Sequence, residues 1–134
     1  MLFLVPQAKL KTVNGEVVQI QDGDTLTIKT GRDTLRKVRL ADIDAPEMGQ
    51  PFGKVARRLA VDLALEKTVR VDYTFKDKYD RLIGEVFLPD SKLLNEEMLK
   101  EKKNYCGHRL KTASLYFLNI CIYVSLVFRN KFLI

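Results

Sequence analysis

Five short runs of β-forming residues, interrupted once by a helical pattern, restrict this chain more than anything else in it. Asn14 to Ile20 is β-branched and half alternating. Thr25 to Lys29 alternates, with Leu26 and Ile28 on one face. In Leu35 to Ala41, Val38 and Leu40 share one face, so Lys37 and Arg39 share the other. The stretch QPFGKVARRLAVDLAL then reads as a helix. Phe52, Val55, Ala56, Leu59 and Leu63 fall at helical spacing, and Pro51 suits the first turn. Thr68 to Phe75 alternates again, with Val69, Val71, Tyr73 and Phe75 as one face, and Leu82 to Leu88 is a fifth strand. Leu93 to Lys100 reads as a short helix burying Leu94, Met98 and Leu99. Three strands, a helix, two strands and a helix is the order of a five-stranded Greek-key barrel, the OB-fold, mostly β with flanking α-helices.

The loops between these runs are polar. Asp22-Gly23 is a turn signal, TGRD is a loop whose glycine supplies a positive φ, and KDKYD is a charged loop. The chain has 134 residues, which fits one domain. Its 23 Lys and Arg against 17 Asp and Glu give a net charge of +6 and favour an anionic partner, nucleic acid being the commonest. The single histidine, His108, excludes His-ligated zinc and Ser-His machinery. Cys106 and Cys121 lack a metal-thiolate spacing. The N-terminal MLFLVP is too short for a signal-peptide core and has no leading basic region; a start lying further upstream would make it the remnant of one, with a secreted or cell-surface location.

Chemistry must then rest on the polar residues that the strand pattern throws off the core: Asp24 at the start of a strand, Arg39 pointing outward, Asp44 and Glu47 in the next loop, and Arg81 after the charged loop. Each alone has a plain structural explanation as a turn, a solvated face or a strand end. Together they make one kind of site. Asp24 and Asp44 offer hard oxygen ligands suited to Ca²⁺ or Mg²⁺. Two arginines offer planar forks for phosphate oxygens. The remaining carboxylate can position or deprotonate water.

DGDT, then VRLADIDAPE, QPFGKVAR, DKYDRLIGEVFL and LLNEEMLKE together resemble the staphylococcal nuclease-like, or thermonuclease, family from about Asn14 to Glu101. The resemblance implies an OB-fold barrel with attached helices and a Ca²⁺-dependent phosphodiesterase acting on DNA and RNA, cleaving the 5′ P–O bond to leave 3′-phosphate ends. It implies metal ligation by Asp24, Asp44 and the backbone carbonyl of Ala45, engagement of the attacking water by Glu47, and a phosphate clamp of Arg39 and Arg81. Lys78 and Tyr79 match positions that contact a terminal phosphate. No obligate protein partner is implied. The rival readings are a nucleic-acid-binding OB module without turnover, and an inactive truncated nuclease. A pure binder gains nothing from three carboxylates that repel phosphate, so the set favours metal chemistry.

Two departures from the family pattern matter. Asp80 stands where glycine is common, and its charge either weakens substrate binding or pairs with Arg81 and holds it. The domain organisation expected is an extension over 1–13, the nuclease-like domain over 14–103 and a divergent tail over 104–134. The tail has no charged residue from Thr112 to Phe128, and basic residues flank that run. It reads as an end translated out of frame, as a hydrophobic membrane anchor near the lower length limit of about 17 residues, or as a divergent packing helix. The first is preferred to membrane contact.

Overall fold

The computed structural model describes residues 8–100. The strands are β1 (Lys11–Asp22), β2 (Thr25–Thr30), β3 (Thr34–Leu40), β4 (Thr68–Lys76) and β5 (Leu82–Phe87); helix α1 is Gly53–Ala64, and residues 94–100 are also helical. The strands close into a barrel in the order β1-β2-β3-β5-β4. All neighbours are antiparallel except β3 and β5, which run parallel. This is the five-stranded OB-fold barrel that the strand order implies. The tail, with Tyr105, Cys106, His108 and Cys121, lies outside the described residues, as do residues 1–7. Among the described residues no helix is long and apolar enough to cross a membrane.

The inward faces make one core. Val17, Ile28, Val38, Val71 and Val86 are fully enclosed, with Ile20, Leu26, Leu40, Val69 and Leu82 beside them. Burying each such side chain contributes about 1.5–3 kcal/mol. β1 begins three residues before Asn14 and pairs with both β2 and β4. Two register shifts against β2, at Val17/Gln19 and Ile20/Asp22, mark irregularities of the kind that coil a long strand around a closing barrel.

Four local expectations are corrected. Phe75 is 57% exposed rather than on the inner face. The β4–β5 register shifts between Tyr73 and Phe75, so β4 carries an extra residue there and its alternation breaks. The positive φ of the TGRD loop belongs to Asp33 (φ 57), and no described glycine has one. Pro51 stands ahead of the helix, whose N-cap is Phe52 in the left-handed region (φ 67). The buried stripe of α1 is Gly53, Ala60 and Ala64, while Val55 is 40% exposed and Phe52 37%. Small side chains win the inner face because the helix lies close to its neighbours. A Cβ on Gly53 would collide with the Glu47 carbonyl, and one on Gly23 would come within 2.8 Å of the Cβ atoms of Ala45 and Ala56. The helix, the loop after β3 and the Asp22–Asp24 turn are thereby pressed together.

The second helical segment buries Leu94 and Met98 and packs Leu99 against the core. Its buried Asn95 bridges two parts of the barrel. The side-chain amide donates to the carbonyls of Ala41 (2.9 Å) and Gly84 (3.3 Å), and its oxygen accepts the Val86 N–H (3.0 Å).

Candidate active site

At the β2 end of that compressed region, Asp24 is only 6% exposed. Its Oδ1 accepts the Thr25 hydroxyl at 3.0 Å, and its Oδ2 accepts the Ala45 N–H at 2.9 Å. Burial alone pushes its carboxyl pKa up. The interaction with Asp22, the Ala45 N–H and the Arg39 charge outweigh burial and hold the pKa below the ordinary value. Asp22 goes the other way: burial and the neighbouring Asp24 raise it. The DGD turn therefore holds one carboxylate firmly ionised and a second that gives up its charge more readily.

Arg39 reaches this cluster because of strand parity. Its neighbours Val38 and Leu40 are buried, so it faces outward, opposite Thr25 of β2 and Ile83 of β5. One terminal nitrogen donates to Asp24 Oδ2 (3.3 Å) and to the Ile43 carbonyl (3.4 Å); the other donates to Asp44 Oδ1 (3.0 Å). Asp24, Arg39 and Asp44 are thus brought together, with the Asp44 side chain 86% exposed. The structure places Ala45 beside them through its N–H on Asp24.

Arg81 immediately precedes buried Leu82, whose partner on β3 is Val38. It therefore lies on the outward side of β5, as Arg39 does on β3. Its Nε donates to Asp77 Oδ2 at 2.7 Å, and its backbone N–H donates to Asp77 Oδ1 at 3.0 Å. Tyr79 is 65% exposed. The Lys78 ammonium lies 5.0 Å from its ring centroid and the Arg81 guanidinium 5.3 Å. Asp80 does not hold Arg81: its carboxylate pairs with Lys76 at 2.9 Å, and its backbone has φ 60. That left-handed geometry is why glycine suits the position.

No described contact joins the Lys78–Tyr79–Arg81 group to the Asp24–Arg39–Asp44 cluster, and Glu47 belongs to neither. It is exposed, and its described bonds are backbone ones with Gln50, whose side-chain oxygen accepts the Glu47 N–H. No described contact joins its carboxylate to Asp24, Arg39 or Arg81. Among the described residues no three His, Cys, Asp or Glu side chains form a metal cluster. The carboxylate oxygens on offer are those of Asp24, of Asp22 beside it and of exposed Asp44, with Arg39 between Asp24 and Asp44. A cavity of about 400 Å³ lies elsewhere, at the β1–β4 seam, lined by Asn14, Arg70, Phe87 and Pro89 among others. It includes none of these residues.

Sequence reasoning missed Asp77 and Asn95. For Asp77 a signal existed: an aspartate at the head of DKYDR, two residues before a backbone N–H that its side chain can accept, is an Asx-turn pattern. Asn95 carries no local signal, because its partners lie 9 to 54 residues away.

The family described as staphylococcal nuclease homologue matches residues 37–102. A micrococcal nuclease of Shigella flexneri is 51% identical over 75 residues, which are 56% of this chain and 42% of that protein. An uncharacterised endonuclease of Escherichia coli is 38% identical over 88 residues, 66% of this chain and 57% of its own length. One of Haemophilus influenzae is 44% identical over 85 residues, 63% and 47% respectively. The chain spans about half the length of the curated relatives it matches. With the barrel in the expected strand order and a matching segment that runs from β3 through α1 to the second helical segment, the chain is similar to the staphylococcal nuclease-like family in both sequence and fold.

Proposed function

We propose that this chain hydrolyses phosphodiester bonds of DNA and RNA, with Ca²⁺ as its cofactor. The observation that carries this is the fork of Arg39 between Asp24 and Asp44, on β3, whose parallel neighbour β5 begins one residue after Arg81. The donor chemistry fits a hard cation, since every ligand on offer is oxygen and Asp44 is open to solvent. Asp24, Asp44 and the Ala45 carbonyl would hold the ion. An ion held there would supply Lewis-acid charge beside the phosphate.

The remaining work falls to the chain. Arg39 and Arg81 bind the non-bridging phosphate oxygens and offset the charge that grows on them in the transition state. Glu47 takes the proton of the attacking water, from a loop that leaves its side chain free to turn toward substrate. Lys78 and Tyr79, exposed at the rim, bind a terminal phosphate. The names of the nuclease and endonuclease relatives support the same reaction class.

The test is incubation of the purified chain with end-labelled single-stranded DNA and RNA, in Ca²⁺ and in chelator. Cleavage of both in Ca²⁺, stopped by chelator, is the expected result. Undiminished cleavage in chelator contradicts the cofactor. Salt-sensitive binding with no cleavage in either condition favours the non-catalytic module, whose attraction to phosphate is electrostatic.

A further inference from the structure

We infer that Asp77 is a positioning residue for Arg81, holding the guanidinium by its inner nitrogen so that both terminal nitrogens are turned to phosphate; this rests on the phosphodiesterase reading above. Three features of the loop carry it. Asp77 Oδ2 accepts Arg81 Nε at 2.7 Å, while Oδ1 accepts the backbone N–H groups of Tyr79 (2.9 Å) and Arg81 (3.0 Å). The Asp77 N–H in turn donates to the Arg81 carbonyl at 3.0 Å, which closes the loop on itself. The Tyr79 ring lies over the guanidinium at 5.3 Å. The arginine is therefore held at its edge, on one face and through its backbone.

A guanidinium offers five N–H donors in a fixed fork. With Nε occupied, the two terminal nitrogens remain in the plane that a bidentate phosphate contact needs. An arginine so fixed loses less freedom when substrate arrives than a solvated one. The Asp77 carboxyl, for its part, is favoured as the anion: burial pushes its pKa up, but the bonds from Arg81 and Tyr79 bring it below the ordinary value. Asp80, the other acidic residue in this loop, points its charge at Lys76 and meets Asp77 only through its backbone N–H, which donates to the Asp77 carbonyl at 3.1 Å.

Asp77→Asn isolates the contact. The amide oxygen can still accept both backbone N–H groups, but an NH₂ replaces the acceptor facing Nε. Expected are a kcat about 10- to 100-fold lower, a KM within about threefold of wild type, and a thermal midpoint lower by only about a few degrees. In an Arg81→Ala background the same substitution is expected to change kcat no further, because the two residues act as a unit. An active wild type whose Asp77→Asn variant keeps full kcat, or loses the same factor with and without Arg81, overturns the inference and leaves the function standing. A wild type that cleaves neither DNA nor RNA overturns both. Should Asp77→Asn fail to fold, the Arg81 Nε–H signal in the NMR spectrum of the wild-type chain decides. Slow exchange with solvent supports the hold, and exchange as fast as that of exposed arginines overturns it.

Discussion

Arg39 lies on β3 and Arg81 one residue before the parallel strand β5, yet their guanidinium groups are tied at opposite ends. Both terminal nitrogens of Arg39 are taken, by Asp24, Asp44 and the Ile43 carbonyl. The Arg81 guanidinium donates from its inner nitrogen to Asp77, beneath the Tyr79 ring. The two are almost equally shielded, with side chains 26% and 25% exposed, so burial does not separate them. Connectivity does. Arg39 links the start of β2 to the loop after β3 and is part of the local architecture. Arg81 is fixed only by residues of its own loop and is free to meet a ligand. A phosphate arriving at Arg39 must compete with Asp44, whose exposed carboxylate is the one that a cation could draw away; at Arg81 it displaces nothing described.

The largest effect expected from this contrast comes from Asp24→Ala. It removes the acceptor for Arg39, Thr25 and the Ala45 N–H at one stroke. Turnover should fall by more than about 10³, and the orphaned Ala45 N–H should cost about 1–3 kcal/mol in stability. Asp44→Ala should remove turnover as completely while leaving thermal unfolding unchanged, because Asp44 is solvated. Thermal melts beside activity assays read both, and equal melting losses would erase the distinction between a built-in and an open ligand.

Asn95→Ala tests the part the two regions share. Its amide joins the Ala41 carbonyl, at the head of the Asp44 loop, to the Gly84 carbonyl of the strand that follows Arg81. Losing it leaves the Val86 N–H and both carbonyls without that partner, at a cost of about 1–3 kcal/mol. Urea unfolding should show this, with kcat within a few-fold of wild type at 25 °C. A loss below about 0.5 kcal/mol would mean that the two sides are not coupled through this residue.

The smallest effect is expected at Asp80. Asp80→Gly relieves a left-handed backbone, worth about 1 kcal/mol, and gives up an exposed ion pair with Lys76 worth about 0.2–1 kcal/mol. The two nearly cancel, so thermal unfolding should hardly move. Cleavage should change by no more than a few-fold; a tenfold change would place the Asp80 charge at the substrate.

The barrel was legible in the sequence because a period of two writes each strand's buried face directly. Val38, Leu40 and outward Arg39 follow from parity alone, and so does the meeting of Arg39 with Asp24 once β2 and β3 pair. What escaped was set by tertiary contact. Phe75 turned outward because β4 carries an extra residue against β5, which the β4 pattern does not encode. The inner stripe of α1 runs through Gly53, Ala60 and Ala64 because close approach favours small side chains over the larger Phe52 and Val55. Asp77 escaped because charge does not distinguish it from Asp80, whereas hydrogen-bond geometry selects the residue four before the arginine. Glu47, expected from the resemblance to engage the attacking water, stands apart from the cluster; its described bonds are backbone ones with Gln50.

The central claim, that both arginines act on phosphate and differ in how the fold holds them, is tested most directly by kcat/KM on single-stranded DNA in Ca²⁺ for Arg39→Lys and Arg81→Lys, with thermal unfolding measured in parallel. Lysine keeps the charge and loses the fork. Both variants should lose about 10²–10³ in kcat/KM, and only Arg39→Lys should also melt at a lower temperature. Either variant staying within a few-fold of wild type, with its fold intact, would contradict the account.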